Sequence, residues 1–314
     1  MSDTDADAVA PEVVAGDGPE AVEPVVEEGV RPSDAFQSLG NETRMGVLRS
    51  LWAAEADGEG QATRSFSALF EASDADTSAQ FAYHLRQLTD TWVEKTDEET
   101  YALTYAGRAL ARAVEAGTFT QRVDAEAVPL SGPCPECGRE ELTATAADNT
   151  LSVGCDACER SLLCLPFPPS GLQSHDPEDL PGAFDRHHRH RLSTLADGVC
   201  PECGGAVSTT ARAVEGDRVQ ATLSCDGCGY RLRTPATLTV LDHPAVVSFY
   251  HEHGTDLRER PLWNVGAEWR ETLVSEDPWV LRVSTELDGE TLSLFLDASL
   301  TPREIRRGNV SAAS

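Results

Sequence analysis

Eight of the nine cysteines fall into four Cys-x-x-Cys pairs, and that spacing restricts the fold more than any other feature of the chain. Cys134-Pro-Glu-Cys137 is followed after 17 residues by Cys155-Asp-Ala-Cys158, and Cys200-Pro-Glu-Cys203 after 21 residues by Cys225-Asp-Gly-Cys228. Each pair sets two thiolates on one side of a tight turn, and two such turns converge tetrahedrally on a single ion. A Pro after a first cysteine and a Gly after a second favour these turns, and glycine leaves backbone N–H groups free to reach sulfur. The two sets start 66 residues apart and read as an internal duplication, giving zinc ribbons at 133–166 and 199–240. The expected cofactor is two Zn2+ ions, held by Cys134, Cys137, Cys155 and Cys158 and by Cys200, Cys203, Cys225 and Cys228. Their role is expected to be structural, because four thiolates leave no open position for a reacting water. A module of about 30 residues cannot bury enough surface to fold by itself. Zinc supplies on the order of 10–16 kcal/mol and defines it. The ninth cysteine, Cys164, lies in Ser-Leu-Leu-Cys-Leu and reads as buried strand filler.

Pairs at metal spacing, rather than disulfides, fit a reducing compartment. No run of about 18 apolar residues is present, so no membrane partner is expected. The first thirty residues hold nine acids and no base, unlike a secretory signal, and a cytoplasmic location is expected. That segment, 1–30, reads as a disordered acidic tail. The net charge is −28, and Lys95 is the sole lysine among 25 basic residues. Such acidity ordinarily opposes nucleic-acid binding. Acid excess with almost no lysine resembles proteins adapted to molar salt. There the Debye length falls to about 3 Å and global repulsion scarcely reaches a duplex.

From 31 to 123 the pattern turns helical. Ser33-Asp34 are good N-caps for a first helix that Gly40-Asn41 interrupts, and Val47, Leu48, Leu51 and Trp52 share a face of the next. Phe66, Leu69 and Phe70 mark a short helix. A polar turn follows, and then a helix from Thr77 with Phe81, Leu85, Leu88 and Trp92 on one side. Short helix, turn and longer helix make a helix-turn-helix pattern. Trp92–Lys95 and Tyr101–Leu103 flank a polar run and predict a hairpin, after which Thr104 can cap a helix bearing Leu110, Ala113 and Val114.

Residues 35–114 resemble an ArsR-type winged helix-turn-helix regulator. The resemblance rests on Ala35–Arg44 (AFQSLGNETR), on Tyr83–Leu88 (YHLRQL) and on Leu103–Arg108 (LTYAGR). The whole chain is similar to winged-helix proteins of halophilic archaea that carry zinc ribbons. The resemblance implies a transcription regulator that binds double-stranded DNA, commonly as a homodimer joined through the first and last helices. Leu110 and Val114 serve such an interface or the intrachain core. The DNA face would comprise Ser78, Gln80, Tyr83, His84, Arg86 and Gln87, with Lys95 at the wing. Gln80 suits adenine and Arg86 a phosphate, whereas His84 is equally a packed residue. Metal sensing through helix-borne cysteines, common in such proteins, has no cysteine to use between 31 and 123. A basal factor resembling transcription factor E, which contacts RNA polymerase, is one alternative, and a protein-interaction module is another.

The remainder reads as a linker with a polar helix at 167–198 and a small α/β domain at 241–310. The expected class is therefore α+β and multidomain. The run Arg186–Arg191 reads as a solvated helix face docking acids of its own domain, or as a phosphate-binding or tail-binding patch. His243, His251 and His253 are expected to be packed or exposed. Trp263, Trp269 and Trp279 read as core in preference to the lining of a ligand pocket. No phosphate loop, hydrolase elbow or carboxylate pair points to an enzyme.

Overall fold

The computed structural model describes residues 30–56, 63–214, 218–265 and 268–309, so the tail expected at 1–30 lies outside it except for its last residue. The chain divides into two compact units, Met1–Ala111 and Arg112–Ser314.

In the first unit α1 (Pro32–Gln37) and α2 (Glu42–Ala56) precede β1 (Arg64–Ser65), α3 (Phe66–Glu71) and α4 (Ser78–Leu88). A hairpin of β2 (Val93–Lys95) and β3 (Thr100–Leu103) follows, and α5 (Tyr105–Glu115) runs on across the unit boundary. The first helix starts two residues earlier than a cap at Ser33 implies. Proline, with no N–H to lose, occupies the first turn, and Asp34 binds the Arg31 guanidinium at 2.9 Å instead of capping. Three other starts are capped by side chains: Asn41 accepts from the Arg44 N–H, Ser65 from that of Ala68 and Thr77 from that of Gln80, each at 3.2 Å. β1 and β2 both pair antiparallel with β3. The helices enclose Leu48, Leu51, Leu69, Phe81, Leu88 and Leu103, with Phe81 edge-on to Phe66 at 5.2 Å.

Thr104 ties the hairpin to α5, donating to the Thr91 carbonyl at 2.7 Å and accepting from the Gly107 N–H at 3.1 Å. At Gly107 the helix passes so close that a Cβ would lie 2.0 Å from the Trp92 carbonyl oxygen. Gly107→Ala must push α5 off the hairpin, at a cost of about 1–3 kcal/mol. Denaturant titration of this variant checks the expectation, and an unchanged midpoint contradicts it.

The second unit begins with a four-stranded antiparallel meander: β4 (Ala125–Leu130), β5 (Leu142–Ala147), β6 (Thr150–Cys155) and β7 (Arg160–Pro166). Asp148 and Asn149, at φ 48° and 58°, make the two-residue turn joining β5 to β6. After α6 (Pro169–Ser174) and α7 (Leu180–Ala196) come β8 (Val207–Ala213), β9 (Val219–Cys225) and β10 (Arg231–Pro235), in the order β10-β9-β8. A 3-10 turn over Ala236–Val240 leads to α8 (Pro244–Glu252). The chain then forms a meander of β11 (Trp269–Glu276), β12 (Trp279–Leu287), β13 (Glu290–Leu296) and β14 (Pro302–Asn309). The described chain is thus mixed α+β with antiparallel sheets. No described helix is long and apolar enough to cross a membrane.

Three segment-level expectations change. The helix expected to be polar, α7, is a core element, with Phe184 in the core of the first meander and Leu192 and Leu195 in that of the second sheet. The C-terminal segment, expected as a small α/β domain, holds a four-stranded sheet that is not a separate core. Its Leu281, Val283, Leu292 and Leu294 share one core with Val219, Ala221 and Leu223 of β9. Cys164 is exposed, not buried. Leu163 and Leu165 stand opposite Val153 and Leu151 on the inner face, so the residue between them points outward with Ser152.

The basic run on α7 also differs from a solvated face, since His188 and Arg189 are each only 6% exposed. His188 Nε2 lies 3.1 Å from the Pro166 carbonyl oxygen, and its ring meets that of Phe184 at 4.6 Å. Asp185, buried beside it, accepts from the Leu262 N–H at 2.6 Å and pairs with Arg189 at 3.5 Å. Burial raises the Asp185 carboxyl, against the pull of that N–H and of Arg189. Burial also pushes the His188 imidazole down, to about 4 from an ordinary 6.5. The unfolded chain therefore takes up this proton first as pH falls. The His188 contribution to stability is complete above about 6.5 and is lost towards 4. Between these values His188→Gln is expected to lose stability less steeply than the parent, as followed by thermal unfolding in excess metal. Parallel pH profiles contradict this.

Candidate metal centres and the exposed face of the fourth helix

Each tetracysteine set closes into a cage. Sγ atoms of Cys134 and Cys158 lie 3.9 Å apart and those of Cys137 and Cys155 3.7 Å apart. In the second set Cys200–Cys228 and Cys203–Cys225 are both 3.6 Å apart. All four sulfurs of a set lie within 4.8 Å of one another. These separations are too long for disulfides, at about 2.05 Å. They match the edges, about 3.8 Å, of a tetrahedron with metal–sulfur bonds of about 2.3 Å. The donor set and its spacing fit a metal ion such as zinc.

The local sequence builds each corner in the same way. The carbonyl of a first cysteine accepts an N–H four residues on: Gly138 from Cys134, Glu159 from Cys155, Gly204 from Cys200 and Gly229 from Cys225, at 2.8–2.9 Å. The donors sit at φ of 74°, 56°, 72° and 77°, the left-handed region. Glycine supplies three of them, and Glu159 adopts the conformation without that freedom. N–H groups turned inward favour thiolates: Glu136 N lies 3.4 Å from Cys134 Sγ, and Gly205 N the same distance from Cys203 Sγ. Burial works to raise the Cys134 thiol, but the N–H groups of Glu136 and Cys137 outweigh it and hold it at about 7. Cys200 is likewise about 7, burial being outweighed by the N–H groups of Cys203 and Glu202. Each cage is locked to its sheet by register, Cys155 lying opposite Leu142 and Cys225 opposite Val207.

The residues anticipated on α4 divide cleanly. Phe81, Leu85 and Leu88 are buried, while Ser78, Gln80, Tyr83, Arg86 and Gln87 are exposed. His84 is half-buried with Nδ1 enclosed and unpartnered, so its place is at the edge of the packed face. Lys95 is exposed on β2 and its ammonium pairs with Glu99, which raises it; the hairpin tip adds exposed Asp97 and Glu98. The eleven residues of α4 contain no acid, in a chain with 53. Leu110 packs against the first unit's core, whereas Phe36 of α1 and Tyr105 of α5 are 63% and 82% exposed.

Among the histidines outside α7, His243 caps α8 by accepting the Ala245 N–H, and His253 packs on Phe249 at 4.5 Å. Trp263 and Trp269 are buried in separate cores, as expected, but both also line a cleft that the sequence did not announce. Its arginines come from strands more than a hundred residues apart, which no local pattern reveals.

Fold and site together define a mixed α+β protein with two tetracysteine centres. It belongs to the family described as domain of unknown function DUF7351, which matches residues 131–301, just over half of the chain. A second family, domain of unknown function DUF7347, matches residues 32–114. The two matches fall on either side of the junction between the compact units. No curated protein and no solved structure matches the chain.

Proposed function

We propose that this protein is a DNA-binding transcription regulator whose first unit is a winged helix of ArsR type and whose tetracysteine centres hold structural zinc. The observation that carries the reading is α4: an exposed, acid-free polar face on a helix anchored by three buried apolar residues. An α-helix of this kind fits the major groove, where Gln80 pairs with adenine and Ser78 and Tyr83 reach base edges or phosphate. Arg86 and Gln87 then lie along the backbone. The element order, with α3, a turn, α4 and the β2–β3 hairpin, supports the winged-helix reading. The acidic hairpin tip contributes little to phosphate contact, which leaves recognition to the helix. Exposed Phe36 and Tyr105 support a homodimer formed through α1 and α5. A cytoplasmic, reducing location agrees with thiols held at metal distance. Filled tetrahedra leave zinc no catalytic position, and the reading is non-enzymatic.

One feature favours a second reading. The hairpin tip with Asp97, Glu98 and Glu99 suits a basic protein surface better than a duplex, as expected of a basal factor like transcription factor E that docks on polymerase. Selection from random duplexes by the full-length, zinc-loaded protein in molar KCl separates the two. Enrichment of a single motif supports the regulator. Failure to enrich any motif, with polymerase co-purifying, supports the basal factor.

A further inference from the structure

A cleft of about 770 Å3 opens in the second unit, a volume typical of small-molecule sites. Four strands contribute to its wall: β7, β10 and β11, each the edge of its own sheet, and β12 through Arg282. Two buried indoles also line it. Trp263 is 6% and Trp269 7% exposed, and the Nε1 donor of each is enclosed without a hydrogen-bond partner. The two rings add apolar surface to the cleft wall, suited to packing against a flat base.

The charge around the cleft runs against that of the molecule. Five arginines line it, against two glutamates, in a chain whose net charge is −28. Both glutamates already have partners, and Glu136 takes one of the five arginines with it. Glu136 pairs with Arg218 at 2.7 Å, and Glu271 accepts the N–H groups of Val219 and Thr237 together with the Thr237 hydroxyl. The exposed guanidinium groups of Arg160, Arg233 and Arg270 meet no acid among the described residues. Guanidinium forks at this density match a multiply charged anion such as a polyphosphate.

We propose that this cleft binds a phosphate-bearing ligand of nucleotide size, its base packed against the Trp263 and Trp269 side of the cleft and its phosphates held by Arg160, Arg233 and Arg270. An inorganic phosphate alone would leave most of the volume empty. A concave site bounded by three sheet edges suits a free small molecule rather than a strand tracked along a surface. The site goes beyond the DNA-binding reading and does not depend on it, since every residue involved belongs to the second unit.

Isothermal titration calorimetry on the full-length, zinc-loaded protein with ATP, GTP, CTP and UTP tests the assignment, with tripolyphosphate and a ten-residue oligo(dT) as comparators. At least one nucleotide is expected to bind saturably at low ionic strength, at least tenfold more tightly than tripolyphosphate or oligo(dT). The Arg233→Ser/Arg270→Ser variant is expected to weaken that binding at least tenfold at unchanged zinc content. Absence of saturable binding by all four nucleotides overturns the proposal. So does equal affinity for tripolyphosphate, tighter binding of oligo(dT), or full affinity in the variant. None of these outcomes bears on whether α4 reads DNA.

Discussion

Removing metal with a strong chelator is expected to unfold the second unit while the first keeps its helices. A structural zinc site contributes an apparent binding energy of about 10–16 kcal/mol, comparable to the whole stability of an ordinary domain, about 5–15 kcal/mol. Without the ion nothing bridges the four sulfurs of a cage, and the corners they close are lost. The damage should spread through register: Cys155 ends β6 opposite Leu142, and Cys225 ends β9 opposite Val207. Freed strand ends expose the cores in which Leu142, Val153, Leu223 and Val219 are buried. The first unit has no cysteine and buries its own core around Phe81. Hydrogen exchange separates the units. Protection is expected to vanish over β5, β6, β8 and β9 and to persist on α2 and α4. Elemental analysis of the untreated protein should give two zinc ions per chain. Single substitutions divide the effect, Cys137→Ser removing one ion and Cys203→Ser the other. Full protection in metal-free protein would show that the sheets stand on their apolar cores alone.

The second large effect is expected at α4. Gln80→Ala with Tyr83→Ala should lower affinity for the selected duplex by about ten- to a thousandfold, because a good base contact is worth about 1–3 kcal/mol. Both side chains are exposed, so the fold should be undisturbed, and unfolding midpoints check that. Leu85→Ala serves as the contrast. It opens a cavity under the same helix, costs about 2–5 kcal/mol, and should abolish binding by unfolding. Arg86→Ala is expected to weaken all duplexes alike and to flatten the salt dependence, the behaviour of a phosphate contact.

What the sequence made legible was local. Four Cys-x-x-Cys turns identify their own partners because a knuckle is complete within five residues, and the order of the sets leaves few ways to pair them. The buried face of α4 follows from Phe81, Leu85 and Leu88, four and three apart, and Thr77 marks its start, whereas Trp92, expected on the same helix, lies in the turn beyond its end. What escaped was set by tertiary packing. Asp185-Arg-His-His-Arg-His-Arg191 reads as a polar surface, yet His188 fits against Phe184 and the Pro166 carbonyl, and Arg189 pairs with Asp185 inside the same unit. Its burial needs Leu262, 77 residues on from Asp185, to supply the N–H that completes the site. Cys164 was misplaced for a simpler reason. In a strand with one inner face the parity of Leu163 and Leu165 decides, and an apolar run hides that parity. Arg160, Arg233 and Arg270 lie on separate strands, and only the meeting of three sheet edges brings them to one cleft.

The central claim is that α4 presents Gln80 and Tyr83 to the base edges of a duplex. Replacing Tyr83 by a photo-reactive benzoylphenylalanine, binding the selected duplex and irradiating tests it most directly. A crosslink to bases within the enriched motif, mapped at nucleotide resolution, is expected. A bound complex that crosslinks at no base from position 83, but does so from residues of the second unit, would contradict it.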